Sequence, residues 1–281
     1  MSYDNKKLSQ LELGKKSKYE TSYNPRLLQG VPRSLNRDQI GLKDKAKIPF
    51  FGKDLWTLYE ISYLNSKGVP RVAIASVWID YTSDNLIESK SFKLYLNSFN
   101  QTKISSKEEL ISIIQKDLSE VSNSNVKIQL HSLNDSKMNE VTTFDGENID
   151  DLDIEISNYD FDSSLLKITK LDYEITEKLN SNLLKSNCLV TNQPDWGSLY
   201  IEYSSFNKID RESLLRYLIS FRMHNEFHEQ CIERIFMDLY SLGITNLTVY
   251  ARYTRRGGLD INPYRSSKDI GFLENIRLSR Q

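Results

Sequence analysis

The order of the predicted secondary-structure elements occurs twice along the chain, and this repetition leaves few folds open to it. In each half, two strand-like segments around a turn are followed by two helical segments and a closing strand. Two helices between pairs of strands favour an α+β unit, in which antiparallel strands form a sheet and both helices cover one face. We therefore expect two tandem strand-strand-helix-helix-strand modules.

The first unit is predicted from its turn, its helix cap and its hydrophobic periods. LWTLYEISYLN and RVAIASVWIDYT are rich in β-branched and aromatic residues, and NSKGVP between them supplies turn residues, so they predict a hairpin. NLIESKSFKLYLNSF predicts a helix. A second helix begins with a capping box of Ser106 and Glu109, and NVKIQLHSL returns to the alternation of a strand.

The second unit follows the same order. NCLVTNQ and GSLYIEY predict two strands around a QPDWG turn. Asp210 is predicted to cap the helix in DRESLLRYLISF, and NEFHEQCIERIFMDLYSLG predicts a second helix that ends at Gly243. NLTVYARYT then alternates as a strand.

We expect three parts in the chain. Residues 1–50 predict an N-terminal arm, because YNPRLLQGVPRSLNRDQIGLK mixes Pro, Gly, Asn and Arg without a sustained period, as irregular backbone on a surface does. Residues 51–178 are expected to form the first module with a crossover, and residues 179–281 the second module.

Charge and hydropathy argue against several classes of function. The chain has 37 Lys and Arg against 38 Asp and Glu, whereas proteins that bind phosphate backbone usually carry a positive excess. No apolar run has the length of a signal peptide or a membrane span, and the two cysteines do not indicate an oxidising compartment. We expect a cytoplasmic protein with no membrane partner and no direct nucleic-acid partner.

The two cysteines differ in their surroundings. Cys231 shares one helix face with Ile235 and Leu239, where a free cysteine behaves as a small hydrophobic residue. Cys188 lies where the polar KSN meets an apolar stretch, near the edge of a predicted strand. Such a thiol can be partly exposed, so both a structural thiol and a nucleophile remain open.

Two acidic residues and a histidine are further candidates. Burial of Asp195 between Pro194 and Trp196 would raise its pKa and keep a proton available for donation, although Asp is also a common turn residue. His228 points into the apolar arc of its helix, where core packing and a functional role are equally open. Glu229 suits the first helical turn for its charge.

Other chemistry has little support in the sequence. Three histidines and two separated cysteines give no recognised zinc spacing, so no metal is expected. Neither G-x-G-x-x-G after a strand nor a Walker A motif is present. YTRRGGLD is compatible with phosphate binding, because two arginines adjoin two glycines, and equally with an ordinary hairpin turn.

Four segments together carry a resemblance to a known family. ESKSFKLY at 88–95, SNCLVTNQPDWG at 186–197, FHEQC at 227–231 and YTRRGGLDINPY at 253–264 resemble the QueF family of NADPH-dependent 7-cyano-7-deazaguanine (preQ0) reductases, and LLQGVPRSLNR in the arm extends the likeness. The long, two-module form is indicated. The resemblance implies a tunnelling fold, with antiparallel sheets that close into a barrel-like tunnel and no Rossmann site.

The resemblance also implies a reaction and the residues that perform it. The nitrile of preQ0 would be reduced to the aminomethyl group of preQ1 with two NADPH, on the route to queuosine in tRNA. Cys188 matches the nucleophile that forms a covalent thioimide, and Asp195 matches the acid that supplies protons. The other matched residues are Ile87, Glu88, Ser89, His228 and Glu229 for substrate, and Ser89, Lys90, Arg256 and Gly257 for NADPH.

Two other functions and the oligomeric state stay open at this point. Another pterin- or purine-handling enzyme of the tunnelling fold, such as a cyclohydrolase, is one alternative, and a non-catalytic purine- or RNA-binding module is the other. Because unpaired sheet edges favour association, we expect a homodimer.

Overall fold

The N-terminal part of the chain is not confined to the surface. The computed structural model of the protein describes residues 20–134 and 140–281, so the first nineteen residues of the expected arm lie outside the described part. Strand β1 (Gly30–Pro32) and the short helix α1 (Ser34–Arg37) follow a 3-10 turn. Arg33 and Arg37 are buried, which corrects the expectation that this segment lies on a surface.

The first repeat unit has the predicted order of elements, with one local difference. Its elements are β2 (Phe51–Leu64), β3 (Pro70–Asp80), β4 (Asn85–Ile87), α2 (Ser89–Asn97), α3 (Lys107–Ser122) and β5 (Val126–His131). The segment predicted as one helix from residue 85 begins instead as β4, which pairs antiparallel with β1. The Glu88 carboxylate then caps α2 by accepting the backbone N–H groups of Lys90 and Ser91.

Helix α3 shows why this sequence forms a helix here. The Ser106 hydroxyl accepts the Glu109 N–H at 3.1 Å, whereas the Glu109 carboxylate accepts the N–H of Ser105, one residue earlier than the predicted capping box requires. Leu110, Ile114 and Leu118 then recur at helical spacing, and all three are fully buried against the sheet.

The second unit also follows the predicted order, with longer strands. After the short strands β6 (Val141–Thr142) and β7 (Glu147–Asn148) come β8 (Ile168–Asn187), β9 (Pro194–Ile209), α4 (Arg211–Ser220), α5 (His228–Ser241), β10 (Thr248–Tyr253), β11 (Leu259–Ser266) and β12 (Arg277–Leu278). Asp210 caps α4, and Gly243 follows α5 with a φ of 77°. Strand β8 begins well before the expected module boundary at residue 179, and the division into modules stays a prediction.

One sheet of eight strands joins the two units, in the order β5-β3-β2-β11-β10-β9-β8-β7. The units meet where β2 and β11 pair antiparallel, with Leu58 opposite Leu259. One core lies around α2 and α3 and another around α4 and α5. The expected α+β fold with antiparallel strands is confirmed. No helix in the described ranges is both long and apolar enough to cross a membrane.

Candidate active site

A cleft beside the junction of the two units contains most of the predicted site residues. The empty space within it is about 570 Å³, a volume that includes the part open to solvent. The first half of the chain contributes Ile87 and Ser89, and the second half contributes the rest. The lining residues are Ile87, Ser89, Cys188, Asp195, Glu226, Phe227, His228, Glu229, Thr254, Arg256, Leu259 and Ile261.

Cys188 lies in the turn that joins β8 to β9, not in a strand as predicted. Strand β8 ends one residue earlier, and the turn is closed by the Cys188 N–H donating to the Gln193 carbonyl at 2.8 Å. Asn192 has a φ of 55°, a conformation that asparagine tolerates better than most residues. The side chain lies at the cleft wall and the residue is 7% exposed, so the thiol borders the cleft without projecting into solvent.

Asp195 is a strand residue, which corrects its interpretation as a turn residue. It is the second residue of β9 and lies opposite Ser186 on β8, while Pro194 occupies the first strand position, where its missing N–H is tolerated. Only 4% of Asp195 is exposed. One carboxylate oxygen lies 3.3 Å from His228 Nε2 and the other 3.0 Å from Arg256 Nη2.

The electrostatics of Asp195 differ from the expectation. Burial alone raises the pKa of this carboxyl group, as expected from its position in the sequence. The charge and hydrogen bond of His228, with the charges of Arg256 and Lys185, outweigh burial, and the pKa lies below its ordinary value. Asp195 is therefore a carboxylate in the resting protein, and it must receive a proton before it can donate one.

His228 is the first residue of α5 and faces the cleft. Its ring stacks on that of Tyr253 with 3.9 Å between centroids and 5° between planes. Nε2 contacts Asp195, while Nδ1 is buried and has no hydrogen-bond partner among the described residues. The imidazole is thus held by one flat contact and one polar contact, which favours the functional alternative over the core alternative.

Glu229 presents a buried carboxylate to the cleft. The residue is 2% exposed, and no side-chain hydrogen bond to its carboxylate is found within residues 20–134 and 140–281. Burial, followed by the nearby charge of Asp54, raises the pKa of Glu229, although His228 and Arg33 oppose the shift. The carboxylate is available to a ligand that brings hydrogen-bond donors into the cleft.

Three predicted residues lie beside the cleft but do not line it. Both carboxylate oxygens of Glu88 accept backbone N–H groups of α2, and burial raises its pKa. Lys90 is on the first turn of the same helix. Gly257 lies in the turn between β10 and β11. Their assigned roles stay predictions.

The turn around Gly257 brings two cations together. Gly257 and Gly258 have φ angles of 61° and 79°, which L-amino acids with side chains rarely adopt. Lys93 from α2 donates from Nζ to the Gly257 carbonyl at 2.7 Å, and Arg256 precedes the turn at the mouth of the cleft. Lys93 also pairs with Glu60 at 3.2 Å, so a phosphate group bound here would replace that carboxylate as a partner of the ammonium group. Lys93 was not singled out from the sequence.

Glu226 is a second residue that sequence interpretation missed. It is fully buried at the cleft wall and bonds to Arg234, to Asn36 and to His224. These ion and hydrogen bonds hold its pKa below the ordinary value in spite of burial. The acidic residue in NEFHE was the available signal, but its partners lie far away in sequence. Phe227, Thr254, Leu259 and Ile261 also line the cleft without having been assigned to it.

A buried ionic cluster lies close behind the cleft. Glu233, one helical turn after Glu229, binds Arg37 through two nitrogens at 2.6 and 2.8 Å, and Arg265 at 2.8 Å. Asp54 on β2 binds Arg265 at 2.8 Å and also pairs with Arg33. The N-terminal segment, α5 and two central strands are tied together by these charges.

The fold and the cleft indicate a class of protein, and two family models then identify the family. Two α+β units share one sheet, and a cysteine, a carboxylate and an imidazole line one cleft beside their junction, as expected of the tunnelling-fold class that the sequence resembles. A family model described as nitrile reductase, 7-cyano-7-deazaguanine-reductase N-term, matches residues 19–153. A second, described as QueF-like protein, matches residues 194–271.

The chain belongs to the QueF family of nitrile reductases, and it contains both the N-terminal and the C-terminal parts of that family. Membership indicates an enzyme that acts on 7-cyano-7-deazaguanine, a small deazapurine, in queuosine biosynthesis.

Proposed function

We propose that this protein reduces the nitrile of 7-cyano-7-deazaguanine to an aminomethyl group with two NADPH, through a covalent thioimide on Cys188. The observation that carries the proposal is that Cys188, Asp195 and His228 line one cleft, with the carboxylate in contact with the imidazole. A nucleophile and a route for protons would thus lie beside the nitrile of a substrate bound in this cleft. Both are needed to reduce a carbon–nitrogen triple bond.

The role of Cys188 follows from the chemistry of the nitrile. A nitrile is a poor hydride acceptor until a nucleophile has added to its carbon. The Cys188 sulfur forms a bond to that carbon, one carbon–nitrogen π bond breaks, and the nitrogen takes a proton to give the thioimide. Two NADPH, when bound in turn, would each supply one hydride to the carbon, and the carbon–sulfur bond breaks between the two additions, so that the thiol regains the proton it lost on attack. The balance is one nitrile, two hydrides and two protons converted to one amine.

Protons reach the substrate nitrogen through Asp195. Because its pKa is lowered, the carboxylate holds no proton in the resting site, so a proton must first be delivered to it. His228 Nε2, 3.3 Å from the carboxylate, is the contacting group that can carry one. Asp195 and His228 therefore act as a pair, in which the carboxylate faces the reacting nitrogen.

The deazapurine is bound by Glu229 and by the walls of the cleft. A guanine-like ring presents adjacent ring and amino N–H donors, which a carboxylate accepts with two oxygens. Glu229 is buried, lines the cleft and carries no competing side-chain hydrogen bond in the described part of the chain. Ile87, Ser89 and Phe227 form neighbouring walls, with apolar surface suited to a flat ring.

The cofactor is held at the cleft mouth by Ser89, Arg256 and the Gly257 turn. The fit rests on the Arg256 guanidinium, which lines the cleft, and on Lys93 Nζ, which reaches the Gly257 carbonyl at 2.7 Å and also pairs with Glu60. Two cations at one turn suit a 2′-phosphate and favour NADPH over NADH. Lys90, on the same helix as Lys93, adds positive charge on this side.

The decisive experiment replaces the proposed nucleophile. Cys188→Ala should abolish both NADPH oxidation and the mass increase, equal to one substrate, that intact-protein mass spectrometry detects after mixing with 7-cyano-7-deazaguanine. Cys231→Ala is the matched control, because Cys231 is fully buried in the core of α5, and it should retain both signals. Turnover at the wild-type rate by Cys188→Ala would overturn the mechanism, and wild-type protein that leaves NADPH unoxidised would indicate a non-catalytic binding module.

A further inference from the structure

The orientation of His228 depends on a residue outside the cleft. The imidazole lies flat on the Tyr253 ring, with 3.9 Å between centroids and nearly parallel planes. A ring fixed in this plane turns its edge, with Nε2, toward the Asp195 carboxylate at 3.3 Å. If the ring could rotate away from the stack, this contact would be lost.

Tyr253 is itself held in place from several directions. It is the last residue of β10 and lies opposite Gly197 on β9. Gly197 follows Asp195 by two residues on the same strand. Its N–H donates to the Asn262 side chain at 3.1 Å, and its carbonyl accepts from Gln281 Nε2 at 3.0 Å. Both its backbone and its neighbouring strand are therefore fixed.

The Tyr253 ring uses the space above Gly197. A Cβ atom at Gly197 would come within 3.1 and 3.3 Å of two carbons of the Tyr253 ring, and 3.3 Å from a methyl group of Leu184. Contacts this close would force the ring to move by a few tenths of an ångström. Gly197 lies within strand β9 and not in a turn, and its missing side chain leaves room for the Tyr253 ring.

The ring of Tyr253, not its hydroxyl, makes the contact with the site. The residue is fully buried and does not line the cleft. Its hydroxyl is near the Cys231 thiol and makes no hydrogen bond of normal geometry in the described ranges. Phenylalanine would preserve the flat face, whereas an aliphatic residue would not.

We propose that Tyr253 is a positioning residue for the reaction: packed over Gly197, it holds the His228 imidazole in the plane in which Nε2 serves Asp195. This inference rests on the proposed function of the Asp195 and His228 pair. It assigns a role to Gly197 and Tyr253 that acts through His228, without contact to substrate.

The test compares two substitutions of Tyr253 with a core control. Tyr253→Leu should lower kcat by about a hundredfold, the lower range of what a general acid contributes. The kcat of Tyr253→Phe should stay within about threefold of the wild-type value, because phenylalanine keeps the aromatic ring that contacts His228. Substrate affinity, measured with each change on the Cys188→Ala background so that no adduct forms, should change by less than about threefold because Glu229 is untouched.

Tyr203→Leu controls for lost core packing. Tyr203 is a fully buried tyrosine on β9 in the same core as Tyr253, but it does not line the cleft or contact His228. It should lower the melting temperature as Tyr253→Leu does, with little loss of kcat in the folded protein. Gly197→Ala, which keeps Tyr253 but displaces its ring, should lower kcat in the direction of Tyr253→Leu.

Specific results would overturn the proposal. Wild-type kcat in Tyr253→Leu, equal losses in Tyr253→Leu and Tyr253→Phe, or an equal loss in Tyr203→Leu would each do so. Failure of the proposed function is seen separately, as wild-type protein that forms no adduct. In that case the imidazole NMR resonances of His228 still test the stack: Tyr253→Leu should shift them and Tyr253→Phe should preserve them, and an unchanged spectrum in Tyr253→Leu would refute it.

Discussion

At the scale of single residues, the proposed role of Glu229 makes binding of the deazapurine depend on the charge state of its carboxyl group. Burial, with Asp54, raises the pKa of Glu229, so the carboxylate gains a proton at a higher pH than an exposed glutamate does. A protonated carboxyl accepts fewer N–H donors than a carboxylate. Affinity for the deazapurine should therefore fall as the pH decreases through the raised pKa of Glu229.

Glu229→Gln tests this dependence directly. On the Cys188→Ala background, loss of hydrogen bonds to a charged acceptor should weaken binding by about ten- to a hundredfold, and calorimetric titration at several pH values should show a flatter profile. Glu212→Gln, on an exposed face of α4, is the control and should leave the profile unchanged. A Glu229→Gln protein with wild-type affinity and pH dependence would remove Glu229 from the site.

Single residues also mark the limit of what the sequence could predict. The burial of Cys231 in the core followed from its helical spacing to Ile235 and Leu239, whereas the approach of Tyr253 on β10 to its thiol did not. The pKa of Asp195 was expected to rise, since its neighbours in sequence are Pro194 and Trp196. It is lowered instead, because His228 and Arg256 approach from other elements, and no local pattern contains them.

At the scale of elements, the N-terminal segment contributes charge to the centre of the molecule. Burial raises the pKa of Glu233, but Arg37 and Arg265, with Arg33, outweigh it and lower the pKa to about 2. A lowered pKa means that the ion pairs stabilise the fold above the ordinary value of 4.5, and that this stability is lost as the pH falls toward 2.

Replacing Glu233 should reveal how strongly these elements are tied. Glu233→Gln leaves three buried arginines with one carboxylate fewer, and should lower the free energy of unfolding by about 3 to 5 kcal/mol in urea titrations at neutral pH. Asp84→Asn makes the same chemical change in an exposed pair with Lys45, and it should have no measurable effect. Equal stability of the two variants would show that the buried cluster is not stabilising.

Element boundaries near the site were harder to predict than element types. Hydrophobic period and caps identified the principal helices and strands, because those signals lie within each element. The turn between β8 and β9 was placed too late, at QPDWG, whereas it occupies the residues from Cys188 to Gln193. Pro194 suggested a turn but begins a strand, and the left-handed Asn192 was the better signal.

At the scale of the whole molecule, a single chain brings both Cys188 and Glu229 to the same cleft. Equimolar mixing of Cys188→Ala with Glu229→Ala, followed by unfolding and refolding together, should therefore restore no NADPH oxidation. In a site shared between subunits, some mixed assemblies would regain a complete set of residues. Recovery of activity, up to about a quarter of the wild-type level in randomly mixed dimers, would contradict a cleft built within one chain.

The repeat, read from the order of elements, predicted the sheet and its helices but not how the halves join. Pairing of β2 with β11 connects segments some two hundred residues apart, and alternation within a strand does not specify its neighbour. Among the described residues, the outer strands β5 and β7 have no further partner strand at the two ends of the sheet, as the expected homodimer would require. Light scattering in solution distinguishes one copy of 32.7 kDa from two.

The pairing of β2 with β11, in which Leu58 lies opposite Leu259, has a consequence for how the cleft responds when the protein is diluted. Ile87 and Ser89 come from one half of the chain and Cys188 and Glu229 from the other, so the cleft exists only when the halves are together. With both on one polypeptide, the effective concentration of each half around the other is set by the intervening chain, whatever the abundance of the protein. Dilution of the protein alone should therefore not separate the two halves of a cleft.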